Sequence, residues 1–228
     1  MRFIKNILAL IILPVALGTA KSFYYQISVL GDLKDHVLLM EHGALTYLLI
    51  HTLIFRPVYL YVLGHECVHV LATWISGGRV ESFNVSSTGG GVVTSKTNFF
   101  IKLSPYFVPI YAIAIAPIFW LVKNFIDVSF DIETLFMFTL GFTLAFHIVM
   151  TTEVLKMKQP DMDKLGPMLS LIIIFTFNMF IVMAVFSPIF EDLSFISFLK
   201  SSYRETLAMY EVVYSIFNMA ARTVSNYF

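Results

Sequence analysis

The chain has 228 residues, of which 58% are hydrophobic and only 13% charged, with a mean hydropathy of +0.80. A soluble domain carries about one quarter charged residues, so this composition excludes an ordinary soluble domain and places the chain in a membrane. Fifteen Lys plus Arg balance fifteen Asp plus Glu, and without a basic run the charge pattern argues against a nucleic-acid partner.

A spanning helix needs roughly 20 mainly apolar residues, and stretches of that kind lie at 6–20, 37–54, 58–75, 104–123, 134–155 and 168–190. They predict an all-α membrane protein: one integral-membrane domain over 1–228, a polytopic bundle of about six transmembrane helices. The first stretch follows Arg2 and Lys5 and ends in Gly18-Thr19-Ala20, so residues 1–20 fit an N-terminal anchor or a cleavable signal-like segment. Pro57 opens the third stretch and Gly77-Gly78 stops it. Beyond it, Val80, Phe83 and Val85, then Gly89-Gly90-Gly91, then Val92-Val93 predict a short β-hairpin. Over 198–228 apolar residues recur at 203, 207, 210, 214, 217, 221, 224 and 228, the stripe of an amphipathic helix. Lys and Arg divide almost evenly between the two sides of such a bundle, so the charge rule leaves its orientation open. The single cysteine, Cys67, allows no intrachain disulfide.

Inside the third stretch stands His65-Glu66-Cys67-Val68-His69. Residues four apart share a helix face about 6 Å apart, so His65 and His69 can offer imidazole nitrogens to one ion at the ~2.0–2.1 Å that zinc prefers. Glu66 sits beside that ion and suits a general base, taking a proton from a water whose pKa falls to about 7 on zinc. Three ionisable groups within five residues are costly in a bilayer, at about 2.5–3.5 kcal/mol each at its centre, and demand a compensating partner. Cys67 points away from the histidine face and reads as a small buried hydrophobe.

A catalytic zinc needs a third protein ligand and an open position. His36 and His42 lie at the edge of the second stretch and His51 stands within it, and all three read as hydrogen-bonding or interfacial residues. His147 lies at ~21 Å along the fifth stretch against ~18 Å for His69 along the third, so depth favours it. Asp161, in "KMKQPDMDKLG", follows Pro160, which lets the backbone turn back toward the membrane; it reads equally as an ordinary turn acid. Glu153 and Asp163 complete the set of candidates.

An HExxH within a predicted span, a glycine-rich hairpin, two further spans and a proline-aspartate element together resemble the site-2 protease family of intramembrane zinc metalloproteases, most of all its short bacterial branch without a PDZ domain. The resemblance rests on "HECVH", "GGRVESFNV…GGGVV" and "QPDMD" and covers about 58–190, the implied catalytic core. It implies that His65, His69 and Asp161 hold Zn2+ and that Glu66 is the catalytic base. Where the family's later motif has a glycine after the aspartate, this chain has Met162, so Asp163 and His147 remain alternative ligands; His147 alternatively stands behind the ligands or stabilises an oxyanion. The resemblance also implies that the hairpin holds an extended substrate, here through the strand-like "VESFNV".

The function expected is therefore an intramembrane zinc metalloprotease that hydrolyses peptide bonds of transmembrane or membrane-adjacent substrates, multi-pass in the lipid bilayer of a bacterial plasma membrane. Two other classes use the same residues: a membrane metal-binding or transport protein, with the histidines and acids forming a cation path, and a non-catalytic scaffold, against which the intact HExxH argues.

Overall fold

The computed structural model describes residues 2–28, 30, 34–127, 129–157 and 159–225. The chain is mostly helical, in the order α1 (Arg2–Ser28), α2 (Lys34–Leu53), α3 (Val58–Ile75), β1 (Val80–Ser86), β2 (Gly89–Thr94), α4 (Phe99–Leu103), a 3-10 turn (Ser104–Tyr106), α5 (Ile110–Phe125), α6 (Ile132–Leu155), a second 3-10 turn (Pro160–Met162), α7 (Pro167–Phe186) and α8 (Phe195–Ser225). Packing divides it into two compact units, residues 1–30 with 165–228 and residues 31–164.

Among the described residues, four helices are long and apolar enough to cross a membrane: Phe3–Ser28, Val58–Ile75, Ile132–Leu155 and Pro167–Phe186. The bent pair Phe99–Tyr106 and Ile110–Phe125 raises the number to five if it counts as one span. The stretch predicted at 37–54 forms a helix, α2, yet falls outside this group; it carries Asp35, Glu41, His36, His42 and His51. The stretch predicted as one span over 104–123 is not one straight helix. Its axis bends by 73° around Pro105 and Pro109, because proline supplies no amide for the helical ladder.

Local signals set the element ends. At the end of α3, Gly77 takes a φ of +68°, its amide bonds to the Trp74 carbonyl and that of Gly78 to the Thr73 carbonyl, so the glycine closes the helix. Asn98 caps α4 by accepting from the Ile101 amide, and Asp131 caps α6 by accepting from the Glu133 and Thr134 amides. The predicted hairpin is present: β1 and β2 are antiparallel, with Phe83 opposite Val92 and Val85 opposite Gly90.

In the unit of residues 31–164, α2 and α6 run parallel. Met40 lies at Gly141, Tyr47 packs on Phe142 and Phe146, and His51 reaches Glu153. A Cβ on Gly43 would collide with the Phe138 carbonyl and one on Gly141 with the Met40 backbone, so two glycines bring the backbones together as in close-packed membrane helices. Helix α5 runs antiparallel to α6, with Tyr111 on Phe146 and Phe119 stacked on Phe136. The chain from Asn98 to Tyr111 returns along α3: Asn98 meets Ser76, Ile101 meets His69, Tyr106 meets His65 and Tyr111 bonds to the Leu60 carbonyl. Six crossings alternating in direction, with 104–123 as the fourth, would set α2 against α6; the parallel pair instead makes 98–106 a return leg separate from α5. Tyr47, Tyr61, Phe146 and Met150 form the buried core beneath this arrangement.

In the unit of residues 1–30 and 165–228, α8 packs antiparallel on α1 through the Lys21–Glu205 ion pair at 2.7 Å and a bond from the Tyr210 hydroxyl to the Ile11 carbonyl. Phe198, fully buried, packs on Phe23 and Phe180. Apart from Tyr210, the stripe on α8 is not its packed face: Tyr203, Tyr214 and Phe217 are exposed, while Thr206 meets Gly18.

Candidate metal centre

Helix α3 presents His65 and His69 on one face, with ring centroids 4.9 Å apart. The 3-10 turn after α6 brings Asp161 to them, its Oδ2 lying 3.8 Å from His65 Nε2 and 3.6 Å from His69 Nε2. These three offer one donor atom each, all within 4.8 Å of one another. Donors around a tetrahedral ion at 2.0–2.1 Å stand about 3.3 Å apart, so the two Asp161–histidine distances lie within a few tenths of an ångström of what zinc needs. Two imidazoles and a carboxylate are also the ligand chemistry zinc accepts at catalytic sites.

The surroundings fit the same ion. His69 Nδ1 donates to the Ile101 carbonyl at 2.7 Å, which turns Nε2 toward Asp161 as the ring atom left to ligate. Glu66 is 6% exposed, and its Oε2 has no hydrogen-bond partner among the described residues. A buried carboxylate oxygen without a partner is costly; here it belongs to the residue next to His65 and three before His69. Burial alone would raise the Asp161 carboxyl, but the facing His65 and His69 edges and the Tyr106 hydroxyl hold it well below the usual carboxylate range.

The cluster opens into a cleft of about 900 Å³ that also reaches Arg56, Glu153 and Gln159. One wall is β2, from Gly89 to Val92, and not β1, where the sequence placed the substrate-holding strand. Gly90 lies directly over the HExxH helix: a Cβ there would come within 2.7 Å of Glu66 Cγ and 2.9 Å of Val62 Cγ1.

The other candidates lie elsewhere. His147 is buried in α6, and neither it nor Asp163 joins the donor cluster or the cleft wall. His51 bonds to the Tyr47 hydroxyl through Nδ1 at 3.0 Å and faces Glu153 at 3.3 Å through Nε2, with Arg56 3.5 Å from the same carboxylate oxygen. Sequence reasoning missed Tyr106. Its hydroxyl donates to Asp161 Oδ2 at 3.0 Å and its ring meets His65 edge-on with centroids 5.0 Å apart. The only signal was the pair of prolines flanking it in Ser104-Pro105-Tyr106-Phe107-Val108-Pro109, which marks a broken helix but not a polar contact. Compared with protein-family models, with curated proteins and with solved structures, the chain matches none of them.

Proposed function

We propose that the protein is an integral-membrane zinc endopeptidase resembling the site-2 proteases, acting on transmembrane or membrane-adjacent segments. The observation that carries this reading is the meeting of His65, His69 and Asp161 within 4.8 Å beside the buried, unpartnered Glu66 carboxylate. His65 and His69 would hold the ion through Nε2 and Asp161 through Oδ2. Zinc held there would polarise a carbonyl and lower the pKa of a water to about 7.

The remaining work falls to the chain's own groups. Glu66 accepts the proton of the attacking water and delivers it to the leaving amine. An extended segment enters the cleft along β2, whose outer edge is unpaired among the described residues and suits strand addition. The glycines of β2 let the substrate backbone approach Glu66 without side chains in the way. A helical substrate has its amides satisfied internally, so it must unwind before its peptide bond reaches this edge.

In this reading α1, α2, α3, α5, α6 and α7 cross a bacterial plasma membrane, α2 being drawn in by its glycine contact with α6, and residues 98–106 form the return leg. The test is purified protein in liposomes with a model transmembrane peptide. Cleavage that requires zinc and Glu66 supports the protease; zinc flux without cleavage would move the assignment to a metal transporter.

A further inference from the structure

Asp161 sits on a three-residue turn, outside any long helix. No extended helical ladder holds its carboxylate, so other contacts must. Gln159 Nε2 donates to the Val154 carbonyl at 2.8 Å, tying the turn to the last turn of α6. The Tyr106 hydroxyl donates to Asp161 Oδ2 at 3.0 Å and lies 3.4 Å from Gln159 Oε1. Tyr106 itself is completely buried, with its ring edge-on to His65, so its hydroxyl has little freedom to leave. The adjoining α4 supplies the Ile101 carbonyl that orients His69. One buried stretch, 101–106, thus touches all three donors, two of them through hydrogen bonds.

We propose that Tyr106 is the positioning residue of this centre: its hydroxyl holds Asp161 in its ligating place before any metal arrives, and Gln159 ties the same turn to α6. The inference rests on the zinc site proposed above and adds a residue outside the HExxH and aspartate elements. A carboxylate already seated loses less freedom when the metal binds, so the clasp strengthens binding by preorganisation. Groups that orient a ligand in this way typically change metal affinity about 10–100-fold when removed.

The test uses the full-length protein in detergent, as wild type, Tyr106→Phe and Gln159→Ala. Tyr106→Phe removes one oxygen and keeps the ring that packs on His65, and Gln159→Ala releases the turn that carries Asp161 from α6. Zinc affinity is measured by competition with a chelator, the visible spectrum is recorded after cobalt substitution, and amide exchange is followed over 159–163 in metal-free protein. The expected result is about 10–100-fold weaker zinc in Tyr106→Phe, an altered cobalt spectrum, faster exchange confined to 159–163 and an unchanged melting temperature, with Gln159→Ala shifted in the same direction. Wild-type zinc affinity and cobalt spectrum in both variants would overturn the clasp while leaving the zinc site standing. A wild type that binds no zinc would overturn the proposed function and this inference with it.

Discussion

Oδ2 of Asp161 lies 3.6 Å from Nε2 of His69, close enough for one ion to bind both and too far for a good hydrogen bond between them. In the proposed zinc site Asp161 is therefore the third ligand, while His147 and Asp163 lie outside the donor cluster. Asp161→Ala should lose zinc by more than the roughly 100-fold that orienting groups reach, while His147→Ala and Asp163→Ala keep it near stoichiometric. Metal analysis of the three purified variants checks this, and retention of zinc by Asp161→Ala contradicts it.

The pH dependence of metal retention follows from the same geometry. The Asp161 carboxyl is held below its usual value, which is about 3.9 for a free aspartate. Its contribution is complete above about pH 4 and is lost only as pH falls through the lower folded value. The imidazoles must shed their protons to ligate. Zinc release on acidification should therefore be driven by protonation of His65 and His69, with up to two protons taken up, and a chelator titration at several pH values reads that number.

Gly90 admits no side chain over Glu66. Gly90→Val should push β2 off α3, reducing cleavage by at least tenfold while zinc content stays at the wild-type level, because none of the three ligands is on β2. Wild-type cleavage by Gly90→Val would show that the close approach of β2 to Glu66 is not what matters.

The glycine contact of α2 with α6 is a stability element. Gly141→Val inserts a side chain into the Met40 backbone, and overpacking of this kind costs about 1–3 kcal/mol. The variant should melt several degrees below wild type in detergent, and an unchanged melting temperature contradicts the parallel packing.

Much of the site was legible in the sequence because its chemistry is local. The spacing of His65 and His69 fixes them to one helix face, Pro57 and Gly77 bound that helix, and the alternation of Val80, Phe83 and Val85 before three glycines marks the hairpin. Asp161 was legible only as a candidate, since nothing in the chain between residues 69 and 161 states how they meet; spacing and depth alone favoured His147. The parallel course of α2 and α6 was hidden because hydropathy measures how apolar a stretch is and not its direction. The break near Pro105 and Pro109 turns a 20-residue apolar run into a return leg and a helix. Tyr106 was hidden among 23 Phe and 11 Tyr residues, where one more aromatic side chain reads as core.

The measurement that bears most directly on the central claim pairs zinc content with cleavage of a model transmembrane substrate in wild type and Glu66→Gln. The account predicts near-stoichiometric zinc in both proteins and a rate lower by about 10²–10⁴ in the variant, the span typical of a lost general base. Absence of zinc from the wild type, or cleavage by Glu66→Gln at the wild-type rate, would contradict it.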